Sequence, residues 1–219
     1  DFGQCSHTQN RATRRTAAKL QMCGEWVLVS YLRRSNIDAA LHAWAILSLL
    51  VKRLRQAWPG VRIVMRADSG FCRHRMFNWC ERNNVEYIVG IAKNPRLLAR
   101  AQSHILKAEK AFLVSGEKQR HLTSLRYRAE TWNKTRDVIA KAEHNDRGAN
   151  PRFVVTNIEG DPRELYEQLY CARGEMENRI KEQLQMFSDR TSCHAWWPNQ
   201  FRLLLSTIAY TLIHVIREV

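Results

Sequence analysis

The feature that most constrains the fold is an alternation of strand and helix signals. The apolar, β-branched segments VRIVMRA (61–67) and VEYIVGI (85–91) have the composition of buried strands. An amphipathic segment, HRMFNWCERN (74–83), separates them, and a further helix is predicted from about Pro95 to Lys107. Strands that alternate with helices predict an α/β fold in which helices cover a sheet.

Two further segments with clear patterns precede this alternation. EWVLVSYL (25–32) is β-branched and aromatic, which predicts a strand. The segment 35–58 is predicted to be a helix that Pro59 and Gly60 end. Residues 1–22 show no apolar period and are rich in polar and basic residues, so we expect a disordered or loosely attached arm there.

The pattern changes from about residue 110, where segments of strand composition follow one another without a helix. These segments are KAFLVS, SLRYRAETW, TRDVIAKAEH and RFVVTN. The chain is then predicted to be mostly helical, and it ends in the apolar helix FRLLLSTIAYTLIHVI (201–216). We therefore predict a first part of an α/β core (23–109), a β-rich insertion (110–160) and a helical completion of the core (161–219).

Charge and composition narrow the range of partners. Lys and Arg number 35 against 21 Asp and Glu, which leaves a net charge of +14. Such an excess attracts polyanions, and nucleic acid is the commonest of these, although a merely basic protein remains an alternative. The apolar segment 201–216 is too short to span a bilayer and carries Arg202 and His214, so we expect a buried helix and no membrane partner. The six cysteines show no CxxC pair and no zinc spacing, which favours reduced thiols in a cytosolic protein.

The first candidate for chemistry is an acidic residue at a strand end. VRIVMRADSGF (61–71) runs aliphatic residues directly into Asp68, Ser69 and Gly70. Ser69 and Gly70 let the chain turn away and leave the carboxylate unobstructed. An Asp at this place can cap a following helix or hold a metal ion, and both readings stay open at this point.

The second candidate is a polar helix face in YCARGEMENRIKE (170–182). At 100° per residue, Tyr170, Arg173, Glu177 and Lys181 fall within an arc of roughly 80°. The alternative is a solvated face supported by i,i+4 pairs of Arg173 with Glu177 and of Glu177 with Lys181.

These segments together resemble a known family. RADSGF, followed far downstream by Y-x2-R-x3-E, resembles the DDE transposases of bacterial insertion sequences, in the branch with a Tyr-Arg-Glu-Lys signature. LRRSNIDAA and DRTSCHAWWPNQFRLLLSTIAY are similar to the same group, and the likeness covers about residue 23 to the end. The resemblance implies a ribonuclease-H-like core, a mixed sheet with flanking helices, interrupted by a β-rich insertion. It also implies metal-dependent DNA strand cleavage and strand transfer at insertion-sequence ends.

The resemblance assigns roles to two acidic residues. Asp68 matches the second acidic residue of the triad and Glu177 the third, so both are expected to be catalytic and to bind metal. No residue is assigned to the first acidic position, and we interpret the sequence as an N-terminally truncated transposase. An inactive fragment that only binds DNA is the alternative.

Further signature positions imply contacts with DNA. Tyr170 and Arg173 match residues that engage DNA near the cut. The signature Lys should fall at Leu184, so Lys181, one turn earlier on the same face, is expected to replace it. Arg66, Arg73 and Arg75 are additional candidates for phosphate contacts. The DNA-contact candidates that the resemblance implies are therefore Tyr170, Arg173 and Lys181.

The chemistry implied by the family needs a hard divalent cation. Two Mg²⁺ ions roughly 3.5–4 Å apart can stabilise both the attacking and the leaving oxygen of a phosphodiester. Carboxylate oxygens are the ligands that such ions prefer, and Mn²⁺ can substitute for Mg²⁺. The expected partner is double-stranded DNA, both transposon ends and target, and a homodimer on DNA stays open. Bacterial origin implies a cytoplasmic, nucleoid-associated protein.

Overall fold

The computed structural model describes residues 2–3, 16–23, 26–34, 36, 38, 40–186 and 193–218. The chain forms two compact units. The terminal unit comprises Asp1–Gly60 and Ala172–Val219, and the central unit comprises Val61–Cys171. Helices flank mixed sheet structure, which confirms the predicted α/β class and is consistent with a ribonuclease-H-like core.

The described strands and helices are as follows. The strands are β1 (Phe2–Gly3), β2 (Thr16–Cys23), β3 (Trp26–Arg34), β4 (Val64–Ala67), β5 (Glu86–Ile91), β6 (Gln119–Tyr127), β7 (Arg136–Asn145), β8 (Gly148–Ala149) and β9 (Arg152–Thr156). The helices are α1 (Ala43–Ala57), α2 (His74–Arg82), α3 (Pro95–Ser115), α4 (Pro162–Glu164), α5 (Arg173–Gln185) and α6 (Trp196–Glu218). A 3₁₀ turn spans Ser69–Phe71, and a π-helical turn spans Leu165–Tyr170.

The central unit is built on a mixed sheet. β4 and β5 pair in parallel, β5 pairs antiparallel with β9, and β9, β7 and β6 continue antiparallel. The strands predicted as a β-rich insertion thus extend the sheet that β4 and β5 begin. The boundaries predicted at residues 23, 110 and 161 follow changes in sequence pattern and stay a prediction.

Each face of the central sheet is covered. Ile88, Ile139 and Val154 pack against Tyr166 of the π turn on one face. α3 packs against β6 and β7. Coverage of both faces explains why β7 is buried along most of its length rather than at every second residue.

The strand predicted for KAFLVS (110–115) is wrong, because these residues form the last turns of α3. The helix ends only where Gly116 adopts a left-handed φ of 70° and its N–H bonds the carbonyl of Phe112. Phe112 contacts the ring of His144, while Leu113 and Val114 are exposed. This apolar run therefore belongs to a helix, although its composition is typical of a strand.

The terminal unit contains an antiparallel sheet and the helices α1, α5 and α6. β1 pairs with β2 and β2 with β3, so the last residues of the predicted arm (1–22) form a strand. The core of this unit joins β3 to α5 and α6. Its buried residues are Leu32, Met176, Ile180, Leu184, Leu203 and Tyr210.

α1 is shorter than the predicted helix over 35–58. His42 has a left-handed φ of 63°, so regular helix begins only at Ala43. The predicted end before Pro59 is confirmed, since α1 stops at Ala57.

α6 is only partly buried, whereas the sequence predicted a buried helix. Its buried stripe is mainly polar, and Gln200 accepts a hydrogen bond from the Leu32 N–H (2.7 Å) and donates to the Ser30 carbonyl (3.3 Å). Gln200 thereby satisfies backbone groups on the side of β3 where no described strand pairs with it. Phe201, Ile208 and other large apolar side chains remain exposed. Among the described helices, none is long and apolar enough to cross a membrane.

Candidate active site

Asp68 follows β4 directly and caps the 3₁₀ turn. Its backbone is extended, and its Oδ1 accepts a hydrogen bond from the Gly70 N–H at 2.8 Å. The capping role that the sequence suggested is therefore confirmed. The side chain is half-buried at the carboxyl end of a strand that pairs in parallel with β5. Ligand sites in α/β sheets form at such carboxyl ends, so capping and ligand binding are compatible here.

Gly90 of the neighbouring strand lies against the Asp68 turn. β4 and β5 pair Ala67 with Val89, which brings Gly90 beside Asp68. A Cβ atom built on Gly90 would stand 3.1 Å from the Ser69 nitrogen and 3.4 Å from the Asp68 carbonyl carbon. The same Cβ atom would stand 2.7 Å from the Tyr170 hydroxyl. Glycine at this position thus lets the phenol and the turn that carries the acid approach the same point of β5.

The π-helical turn determines where the phenol of Tyr170 lies. The Cys171 N–H donates to the Tyr166 carbonyl at 2.9 Å, five residues back, and the rings of Tyr166 and Tyr170 are 5.5 Å apart. Nη1 of Arg66 donates to the Leu169 carbonyl at 3.0 Å. This bond ties the π turn to β4, two residues before Asp68. Single π turns are frequent at functional sites.

The predicted helix face that includes Tyr170 is not continuous. Tyr170 ends the π turn, and α5 begins at Arg173 after an intervening turn, so a constant 100° per residue does not hold across this junction. Three residues of the predicted face, Arg173, Glu177 and Lys181, lie in α5. The side chains of Arg173 and Glu177 lie outside what the structure describes, whereas Lys181 is exposed.

Comparison with known families decides the assignment. A family model for the transposase DDE domain, group 1, matches residues 20–219. The chain belongs to the DDE transposase domain family. No curated protein matches the chain. The match confirms the predicted family and supports a transposase function for the fold described above.

Transposase domains of this family generally use divalent metals, and the described residues fit that use in part. Asp68 offers carboxylate oxygens, which hard divalent cations prefer. Within the described ranges, no cluster of three or more His, Cys, Asp or Glu side chains could hold a metal ion. Asp68 therefore fits as one ligand of such an ion.

Leu184 occupies the position where the resemblance expects the signature Lys. Its side chain is buried with Met176 and Ile180 in the core of the terminal unit. An ammonium group there would lose its hydration without a partner, which explains why the transposase domain carries leucine at this site. Lys181, one turn earlier in the same helix, is exposed.

Arg66, Arg73 and Arg75 have different surroundings in the transposase domain. Arg66 is half-buried and bonds the Leu169 carbonyl, so its observed contact is internal. Arg73 and Arg75 are exposed at the start of α2. The sequence groups the three arginines because they are close together in the chain. Only the contact of Arg66 with a distant segment shows that its role is internal, whereas Arg73 and Arg75 lie at the surface.

Two of the described cysteines, Cys72 and Cys80, are unsuited to a nucleophilic role. The five cysteines that the structure describes are free thiols. Burial raises the pKa of Cys72 to about 11 and that of Cys80 to about 12. Both thiols are protonated at neutral pH, which makes them poor nucleophiles.

Proposed function

We propose that this domain catalyses metal-dependent DNA strand cleavage and strand transfer at the ends of a bacterial insertion sequence. The observation that carries the proposal is the placement of Asp68 at the carboxyl end of β4, with the Tyr170 hydroxyl against the same turn over Gly90. Membership of the DDE transposase family supports the reaction class.

Asp68 and Glu177 are the proposed metal-binding carboxylates, and Mg²⁺ is the proposed ion. When bound, such ions stabilise the attacking and leaving oxygens of the phosphodiester. The Gly70 N–H holds one carboxylate oxygen of Asp68 in place, so this ligand is oriented before any ion binds. In this proposal, Asp68 and Glu177 contribute the negative charge that attracts the metal ion.

Three side chains are proposed to bind DNA close to the reacting phosphate. The Tyr170 hydroxyl can donate to a phosphate oxygen, or its ring can stack on a displaced base. The Arg173 guanidinium can form a bidentate contact with a phosphate. Lys181 is exposed and can act as a point charge toward the backbone. The partner is double-stranded DNA, and a protein that acts on a bacterial chromosome works in the cytoplasm, at the nucleoid.

Conservative substitutions at Asp68 test the proposal and separate its two roles. In Asp68→Asn, an amide oxygen can still accept the hydrogen bond from Gly70, while the negative charge is lost. We expect this variant to keep its stability and DNA affinity but to lose Mg²⁺-dependent nicking of a supercoiled plasmid by about 100-fold or more. Asp68→Ala should lose both the cap and the activity. Nicking by Asp68→Asn at the parent's rate would refute the assignment.

Glu177→Gln provides the same test for the second carboxylate. Glu182→Gln, on the same helix, is the matched control, because its carboxylate pairs with Arg179 at 3.1 Å. We expect Glu177→Gln to abolish nicking and Glu182→Gln to leave it unchanged. Equal activity of the two variants would remove Glu177 from the site.

Binding to DNA without cleavage is the second candidate function. The observation that favours it is that the resemblance assigns only the second and third acidic positions of the triad. This candidate predicts that the parent binds duplex DNA yet does not nick plasmid in Mg²⁺, and that Asp68→Asn behaves like the parent in every assay.

A further inference from the structure

The π turn that carries Tyr170 has a second attachment to the central sheet besides the hydrogen bond from Arg66. Nη1 of Arg120 on β6 donates to Oε1 of Glu167, the third residue of the turn, at 2.8 Å. The same guanidinium contacts Oε2 of Glu143 on β7 from Nε and from Nη2, each at 3.0 Å. Arg120 therefore joins a pair of strands to the turn through two carboxylates, in the forked geometry that a guanidinium favours.

Glu143 holds the guanidinium in this position. Arg120 and Glu143 stand opposite each other on β6 and β7, and the Glu143 side chain is only 3% exposed. Lys141 and Lys118 contact the same carboxylate at 3.1 Å and 3.2 Å. A buried carboxylate with three cationic partners is restricted to one orientation, so Arg120 is already oriented when it reaches Glu167.

A second cation that Glu143 holds lies against the same turn. Nζ of Lys141 is 5.9 Å from the centre of the Tyr166 ring, within the range of a cation–π contact. The Tyr166 ring is in turn 5.5 Å from the Tyr170 ring. One buried carboxylate thus orients two cations, and each of them contacts a different side chain of the π turn.

The π turn needs such contacts because its geometry is unusual. Its hydrogen bond joins the Cys171 N–H to the Tyr166 carbonyl, five residues back, and π-helical geometry is rare in proteins. The Tyr170 hydroxyl at the end of the turn stands only 2.7 Å from the Cβ position of Gly90, so it has little room to move. Misplacing a group at a reacting centre by about 1 Å can lower the rate on the order of 100-fold.

We propose that Arg120 is a positioning residue for DNA strand cleavage and that it acts through Glu167 on the Tyr170 hydroxyl. The inference rests on the proposed function, in which this hydroxyl contacts DNA close to the reacting phosphate. Arg120 does not bind the substrate in this proposal, because its guanidinium is engaged by Glu143 and Glu167. It fixes the π turn, and the turn fixes the phenol. All of these residues belong to the central unit.

Substitution of Glu167 tests the proposal, because it leaves Arg120 paired with Glu143. Glu167→Ala removes the contact, whereas Glu167→Gln keeps an oxygen that can accept a hydrogen bond from Arg120. Glu164→Ala is the matched control, since Glu164 is exposed, lies three residues earlier and carries the same charge. Single-turnover nicking of plasmid at saturating DNA and Mg²⁺ gives the rate. Circular dichroism verifies that the variants are folded.

We expect Glu167→Ala to nick about 10-fold more slowly than the parent, as a displacement of less than about 1 Å would cause. Glu167→Gln should keep most of the parent's rate, and Glu164→Ala should match the parent. Because both alanine variants lose one negative charge, an altered attraction to DNA would affect them alike. Equal rates for Glu167→Ala and Glu164→Ala would overturn the proposal.

Tyr170→Phe separates a positioning role from a general loss of structure. The hydroxyl is absent in this background, so adding Glu167→Ala should slow nicking little further. A general structural defect would instead slow nicking by the same factor with and without the hydroxyl. That result would refute the positioning role of Arg120.

Hydrogen exchange tests the attachment of the turn without reference to nicking. The Cys171 amide, which bonds the Tyr166 carbonyl, should exchange about 10-fold faster in Glu167→Ala than in the parent or in Glu164→Ala. Faster exchange in a protein whose parent does not nick plasmid would support the attachment by Arg120 and refute the proposed function. Unchanged exchange in a protein whose parent does nick plasmid would support the proposed function and refute the role of Arg120.

Discussion

The Tyr170 hydroxyl lies 2.7 Å from the place that a Cβ atom on Gly90 would occupy. The Ser69 nitrogen lies 3.1 Å from the same place. At this place on β5 there is room for the hydrogen atom of Gly90 but not for a side chain, because the phenol of Tyr170 and the turn that carries Asp68 both lie against it. This close approach is what places Tyr170 and Asp68 in one site within the central unit.

Gly90→Ala is expected to disrupt this site. The added methyl group would contact a backbone nitrogen that cannot move without shifting the Asp68 turn, and the expected cost is roughly 1–3 kcal/mol of unfolding free energy. Nicking should fall together with stability. Gly60→Ala is the matched control, since no atom lies within 4 Å of its Cβ position. Urea unfolding measures both variants, and equal stabilities for them would contradict the close approach.

Tyr170→Phe is expected to relieve part of the Gly90→Ala defect. Removing the hydroxyl oxygen vacates the space that the alanine methyl group needs, so the double variant should be more stable than additivity predicts, by about 1 kcal/mol. Nicking should stay low in both backgrounds because the hydroxyl is absent. A double-mutant cycle in urea measures the coupling. Strict additivity would show that the methyl group clashes only with the Asp68 turn.

Arg66→Gln tests the internal contact against the phosphate-binding alternative. Loss of the hydrogen bond to the Leu169 carbonyl should cost about 1 kcal/mol and reduce nicking, because the π turn that presents Tyr170 loosens. Arg62→Gln, on the segment leading into the same strand, is the control and should change stability little. If Arg66 contacts DNA instead, its variant would keep its stability and bind DNA with a smaller salt slope.

Glu143 is expected to make the free energy of unfolding depend on pH in the acidic range. Burial raises the pKa of this carboxyl, but Lys141, Lys118 and Arg120 outweigh burial and hold it at about 2. Because the pKa of Glu143 is lower in the folded state, its carboxylate stabilises the protein at pH values above 4.5, which is the ordinary pKa of this group. That contribution is lost as pH falls from about 4.5 toward 2.

Glu143→Gln should therefore lose roughly 3 kcal/mol at neutral pH, because three cations lose their buried counter-charge. Its stability should also change less than the parent's between pH 4.5 and pH 2. The exposed Glu117→Gln is the control. Urea unfolding at several pH values measures the difference, and parallel pH profiles for parent and Glu143→Gln would show that the pKa is not lowered.

The local parts of the fold follow from sequence patterns. The run VRIVMRA predicts β4, and the D-S-G sequence after it predicts a turn that begins with an acid, because both depend on residues adjacent in the chain. The same reasoning gave a wrong prediction for KAFLVS (110–115). Its apolar run has strand composition, and α3 continues through it because nothing before Gly116 stops the helix.

The site depends on contacts between distant segments, which no local pattern contains. Tyr170 meets Gly90 across 80 residues, and Arg66 meets Leu169 across more than a hundred. A helical wheel placed Tyr170 on one face with Arg173, but the π turn changes the phase between them. The hydrogen bond from Arg66 and the packing of Tyr170 over Gly90 form only when the strands have assembled into the sheet.

The amino-acid sequence by itself determined the α/β class, the strand that ends in Asp68, the family and the excess of positive charge. These properties depend on residue composition and on periods of two or 3.6 residues, which short stretches of chain specify. Only the tertiary structure decided that Tyr170 packs over Gly90 of β5, that Arg66 bonds the Leu169 carbonyl, and that Leu184 is buried. Such pairings arise from strand order and side-chain packing, whose free energy is shared among segments far apart in the chain.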